Sequence, residues 1–113
     1  MLFMVICCDA DADTGYDLYQ TCTKGEDRRD PLYDIYNARC TAYLSGVWES
    51  ASGIADIYGL KILCNQGAGK IQRGQVVLLF MNWAQRNSQY LGRSAADAAI
   101  AAFSDAFPCS TRR

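Results

Sequence analysis

The 113-residue chain contains no histidine. That absence removes the commonest general base, the commonest metal ligand and the side chain that ordinarily titrates near neutral pH. Proline is nearly missing as well, present only at Pro31 and Pro108, so little stands in the way of long helices. The longest apolar run, Met1 to Cys8, falls far short of the roughly 20 residues that a membrane-spanning helix needs. No segment alternates with period two for long, which excludes a strand-built fold. Neither sign of charge dominates: 11 Lys and Arg stand against 12 Asp and Glu, a net of −1. The bases are scattered and form no stripe, so a nucleic-acid partner is excluded.

What is present is a chain that is 50% apolar and 20% charged, a balance that supports a folded core rather than disorder. Its length is that of one domain, with a core modest enough to gain from covalent staples. Residues 1–12 read as the remnant of a truncated signal peptide: an apolar stretch, then Ala10-Asp11-Ala12, the small-x-small form of a cleavage site. Lipid attachment at Cys7 or Cys8 fits poorly, because bulky Val5 and Ile6 precede them. The single domain then covers residues 13–113, with Cys22, Cys40, Cys64 and Cys109 as its cysteines. Two disulfides among these four place the chain in an oxidising, extracytoplasmic compartment.

From Asp13 onward the pattern is all-α, a compact bundle of about four to five helices. Thr14 is positioned to cap a first helix carrying Tyr16, Leu18, Tyr19 and Cys22. The charged stretch Lys24–Asp30 reads as a solvated turn, with Pro31 as a favoured first-turn residue of the second helix. That helix is long: Leu32, Ile35, Tyr36, Cys40, Tyr43, Val47, Ala51, Ile54 and Tyr58 recur at three- and four-residue steps and predict its buried stripe. Gly46 and Gly53 interrupt that stripe, suiting a close helix contact or a kink. Gly59 opens an irregular segment through Cys64-Asn65-Gln66-Gly67-Ala68-Gly69. A third helix is expected from about Arg73 to Asn87. The run Val76 to Met81 is apolar on more than one face, as befits a central helix or one half-buried in a subunit interface. Ser94 caps a last helix with Ala96, Ala99, Ile100, Phe103 and Phe107 as its predicted stripe, and Pro108 stops it.

Motifs that would carry chemistry fail on inspection. Gly67-Ala68-Gly69-Lys70 resembles the end of a phosphate-binding loop, but Cys64 stands where a glycine is required and Ile71 where a serine or threonine is. Asp9, Asp11 and Asp13 imitate the start of a calcium loop, yet its sixth position is Thr14 and its twelfth Gln20. The four cysteines are too far apart for the close pairs of a structural zinc site. No histidine is there to activate one of them as a nucleophile. Asp34, Glu49 and Asp56 lie on the long amphipathic helix, where a solvated face explains them. The reading is of a protein that is no enzyme, with no cofactor and no metal.

A resemblance sharpens this. Leu18 to Cys22, then Cys40-Thr41-Ala42-Tyr43-Leu44-Ser45-Gly46, then Cys64, then Gly74-Gln75-Val76-Val77, and finally Ala106-Phe107-Pro108-Cys109, look in that order like the Rap/Tai immunity family of type VI secretion systems. The likeness covers nearly all of residues 15–109. It departs from the family after Cys64, where a Leu-Pro-like continuation gives way to Asn65-Gln66-Gly67-Ala68-Gly69. The resemblance implies a periplasmic, disulfide-stapled helical protein, often a homodimer, that binds a cell-wall amidase effector and blocks its active site. Partner-binding residues are then expected in the segment Asn65–Arg73, with Asn65, Gln66, Lys70 and Arg73 foremost, and on the long helix near Trp48 and Glu49. Core packing is the competing reading of Trp48. The alternative to an immunity protein is a small periplasmic helical chaperone or other disulfide-bonded binding protein. A saposin-like lipid binder usually has a third disulfide, and a hydrolase lacks its histidine here. Four cysteines allow three pairings. Cys22–Cys40 across the first helical hairpin with Cys64–Cys109 tying the loop to the C-terminus is favoured, and Cys22–Cys109 with Cys40–Cys64 stays open.

Overall fold

The structure, a computed structural model, describes residues 13–61, 63–64 and 71–109. The expected leader, residues 1–12, lies outside them. They form four α-helices, α1 (Gly15–Gly25), α2 (Tyr33–Tyr58), α3 (Arg73–Arg86) and α4 (Ala95–Ala106), with a short 3-10 helix at Ser88–Tyr90. Among the described residues the only extended pairing is an isolated bridge between Thr14 and Ser94. No helix among the described residues is long and apolar enough to cross a membrane.

Local sequence explains most of the boundaries. Thr14 caps α1 through a reciprocal box: the Asp17 amide donates to Thr14 Oγ1 at 3.2 Å and the Thr14 amide donates to Asp17 Oδ2 at 3.1 Å, so two otherwise orphaned donors are satisfied. Ser94 caps α4 in a similar way, its Oγ accepting from the Asp97 amide at 3.1 Å. The two capped ends are joined to each other. The Gly15 amide donates to the Arg93 carbonyl at 2.8 Å, and the Ala95 amide to the Asp13 carbonyl at 3.2 Å. Only glycine fits at position 15, because a Cβ there would lie 2.7 Å from that of Ala98. Helix α2 begins at Tyr33, just after Pro31, and ends at Gly59, whose φ of 66° is the left-handed conformation that glycine adopts without strain.

Helices α1 and α2 form a hairpin closed by the Cys22–Cys40 disulfide, with Cα atoms 5.0 Å apart. Both sulfurs are in the core, the residues being 1% and 2% exposed. The backbones come very close at the top of the hairpin. A Cβ on Gly25 would meet the Asn37 Cα and N at 2.7 Å, and the Asn37 side chain donates to the Gly25 carbonyl at 3.2 Å. Helix α3 packs against α2, α4 and α1, so its apolar run belongs to a central helix. Val76, Phe80, Met81, Trp83 and Ala84 are buried, while Leu78 is left on the outside. Phe80 and Phe103 are fully buried, each contributing about 1.5–3 kcal/mol by leaving water.

The burial pattern corrects the sequence reading of α2. Its buried face is Cys40, Leu44, Ser45, Trp48, Ala51 and Ala55. Of the expected stripe, Leu32, Ile35, Tyr43, Ile54 and Tyr58 are exposed instead. The expected stripe followed side-chain bulk, whereas the disulfide to α1 and the contact with α4 turn a neighbouring face inward, one built from smaller residues around Trp48. Helix α4 shows the same offset: Ala95, Ala98, Ala99, Ala102 and Phe103 are buried, with Ala96 and Ile100 only partly so. Nor do Gly46 and Gly53 break α2 or serve an internal contact, since a Cβ at either would meet nothing within 4 Å.

Gly25 and Gly46 should therefore respond oppositely to substitution. Gly25→Ala is expected to destabilise the fold by about 1–3 kcal/mol, because backbone stands where its methyl must go. Gly46→Ala is expected to stabilise it by up to about 1 kcal/mol through helix propensity. Urea unfolding of the two variants checks both signs, and equal effects would refute this account of the packing.

Candidate protein-binding surface

The segment between α2 and α3 is held at both of its ends. On the N-terminal side Leu63 is buried in the core, and the Cys64 amide donates to the Phe107 carbonyl at 2.9 Å. Cys64 is also bonded to Cys109, with Cα atoms 4.9 Å apart. The ring of Phe107 rests against Trp48, centroid to centroid 5.3 Å, and Trp48 meets Phe103 edge-on at 5.2 Å. On the C-terminal side Ile71 packs against the core, and the Gln72 amide donates to Gln75 Oε1 at 2.9 Å, which closes the first turn of α3. The chain thus enters and leaves this edge of the molecule at fixed points.

The residues proposed from sequence for partner binding fall into four groups. Asn65, Gln66 and Lys70 lie outside the described residues. Arg73 is the first residue of α3. Glu49 is exposed, and with Ser45, Trp48, Ile71, Gln72 and Val76 it borders a small cavity of about 30 Å³ between α2 and α3. Trp48 is different. It is 8% exposed and its ring is committed to Phe103 and Phe107, so the core-packing reading holds and its side chain presents no anchor at the surface. The buried aromatic belongs to the support of this edge, and Glu49 to its face.

A second concavity lies on the other flank of α2. Ala42, Tyr43, Gly46, Val47, Ser50 and Ile54 line it from α2, with Ala96 and Ile100 across from them on α4, around a volume of about 430 Å³. It shares Ala42 and Tyr43 with a cleft of about 530 Å³ rimmed by Asp13, Asp17 and Arg39. Partial burial, and then the nearby negative charge of Asp13, raise the Tyr43 phenol above its usual 10.0. The sequence signal that marks this surface is Gly46, a poor helix former in the middle of a long helix with no cap to serve.

Compared with known families, residues 14–109 match the Rap1a immunity proteins. The chain belongs to this family. No curated protein and no solved structure matches it. The span shared with the Rap1a immunity proteins starts at the Thr14 cap and ends at Cys109, so it contains the whole stapled body and all four paired cysteines. An immunity protein acts by binding another protein.

The two disulfides of this Rap1a family member differ in access. Cys22 and Cys40 are in the core, whereas Cys64 and Cys109 are partly exposed. Mild dithiothreitol is expected to open Cys64–Cys109 first, read by alkylation and mass spectrometry. Replacing that pair by alanine should cost about 4 kcal/mol, and replacing Cys22 and Cys40 about 3 kcal/mol before any packing loss, from the loops they close. The reverse order of reduction would show that burial does not govern access here.

Proposed function

We propose that this chain is a periplasmic immunity protein that protects its own cell from a type VI secretion effector. It does so by binding a peptidoglycan amidase and covering the active site. The observation that carries this reading is the family match over residues 14–109. The two disulfides support export to an oxidising compartment. The fixed entry and exit of the segment between Cys64 and Ile71 support its use as the inhibitory edge.

The mechanism needs no catalytic group on the inhibitor. A standard-sized interface buries about 800 Å² per partner, enough to cap an enzyme cleft. Exposed Glu49 and the polar start of α3 at Gln72 form the rim beside the inserted edge, where charge sets encounter rate and partner choice more than raw affinity.

Purified protein spanning residues 13–113 is expected to abolish the activity of the amidase encoded beside it at near-equimolar amounts. Glu49→Arg should weaken this inhibition by about tenfold, the scale of one lost and one repelled charge contact, with no change in thermal stability. Full amidase activity at a large excess of inhibitor would refute the proposal.

A further inference from the structure

A further cleft lies where the end of α3, the 3-10 helix and the later turns of α4 meet. Trp83, Asn87, Tyr90, Arg93, Ala101 and Asp105 line it, around a volume of about 340 Å³. None of these residues borders the cavity between α2 and α3 or either concavity beside α2. The volume falls within the range of roughly 300–1,000 Å³ that small-molecule sites occupy.

The polar groups of this cleft are fixed by the fold. Trp83 is 4% exposed, and its indole Nε1 donates to Asp105 Oδ2 at 2.9 Å. That bond sets the carboxylate and leaves Oδ1 without a partner among the described residues. The Asn87 side-chain amide donates to the Trp83 carbonyl at 2.9 Å, which leaves Asn87 Oδ1 as a second free acceptor. Arg93 is anchored through its carbonyl, which receives the Gly15 amide at 2.8 Å. Its guanidinium lies over the Tyr90 ring, 5.9 Å from the centroid. Arg93 and Asp105 share the cleft, yet no ion pair joins them.

Asp105 is the residue that local structure fails to explain. It stands in the last turn of α4, at the negative end of the helix dipole, where an acid is unfavourable. Accepting from the indole does not require a charge, since asparagine offers a carbonyl oxygen at the same reach. The fold therefore accounts for a hydrogen-bond acceptor at this position and not for a carboxylate. An acid set against the dipole, exposed and left unpaired by the arginine of its own cleft, serves a group brought from outside.

The chemistry of the lining says which group. The cleft offers two acceptor oxygens, on Asp105 and Asn87, and donors on Arg93 and the Tyr90 hydroxyl. A hydroxyl both donates and accepts, so a ligand with neighbouring hydroxyls answers both kinds at once. One acid and one base cancel, which gives no preference for an ion. The Tyr90 ring, 47% exposed, adds an apolar surface for C–H groups to cover. We propose that this cleft is a sugar-binding site, which takes one ring of a neutral glycan. Two adjacent hydroxyls donate to Asp105 Oδ1 and Asn87 Oδ1, Arg93 donates to an oxygen on the ring or its substituent, and the apolar face of the sugar lies on Tyr90. Such a site is independent of where an effector binds.

The test titrates triacetylchitotriose into the full chain and follows the two indole N–H signals by NMR. Saturable binding with a Kd of about 1 mM or tighter is expected. It should shift the Trp83 signal, whose N–H touches Asp105, and leave that of Trp48, whose ring is packed on Phe103 and Phe107. Asp105→Asn keeps an acceptor for the indole while removing the charge, and should weaken binding about tenfold with no loss in Tm. Tyr90→Ala should weaken it about tenfold as well. Glycylglycine, a zwitterion able to bridge Arg93 and Asp105, should leave the Trp83 signal in place. N-acetylglucosamine binding as tightly as the trimer assigns the site to a free sugar, and a tighter trimer assigns it to a glycan chain; either supports the proposal. No shift at about 20 mM of either saccharide overturns it. So does binding that Asp105→Asn and Tyr90→Ala both leave unchanged. Glycylglycine binding more tightly than the sugars also overturns it, since an ionic ligand then fills the cleft.

Discussion

The contact on which most else depends is the seating of Trp48 between Phe103 and Phe107. It joins the middle of the longest helix to the end of the last one, and it fixes the rotation of α2 about its own axis. With Trp48 inward, Leu44, Ala51 and Ala55 follow at helical spacing. Phe107 is held in turn, and its carbonyl receives the Cys64 amide. The start of the segment between α2 and α3 is therefore positioned by a chain of contacts that begins in the core. A tryptophan that sequence alone could cast as a surface anchor is the support behind the surface.

That rotation sorts the faces of α2. One side is sealed against α1 by the Cys22–Cys40 bridge, and one packs on α3 beside Glu49. The third carries Tyr43, Val47 and Ile54 around Gly46 and stays open to water. A helix of 26 residues cannot be covered on every side by three shorter ones. Which side is left bare is decided by packing, since small residues permit the closest approach and so are drawn inward, while Tyr and Ile can be tolerated at a rim.

Much of the fold was legible where the signal is local. Thr14 and Ser94 have the side chains that satisfy orphan amides three residues on, and both cap helices in the structure. Gly59 stops α2 because it can turn left-handed. The favoured cysteine pairing is the one found, since residues 22 and 40 face each other across a helical hairpin. The buried faces of α2 and α4 were less legible. A hydrophobic stripe tells that a helix is amphipathic, but Ser45 and the alanines of α4 carry too little apolar weight to reveal that the tight contacts run through them. The candidate edge was legible only in part. Cys64 and the predicted helix start at Arg73 announce its anchors, whereas the Gln72–Gln75 cap came only with the structure and the role of Phe107 rests on a hydrogen bond to Cys64, 43 positions earlier in the chain.

The arrangement of the two disulfides has a consequence for how the chain matures. One loop runs from Cys22 to Cys40 and the other from Cys64 to Cys109, so they follow one another along the sequence and neither encloses nor interleaves with the other. A chain emerging N-terminus first can complete its first bridge as soon as Cys40 is available, before Cys64 exists as a competitor. Among these four cysteines each later thiol then meets only its own mate, the other two, Cys7 and Cys8, lying in the expected leader. Pairing in order of appearance is also the native pairing, so an oxidation pathway that keeps to that order carries no scrambled intermediate for an isomerase to undo.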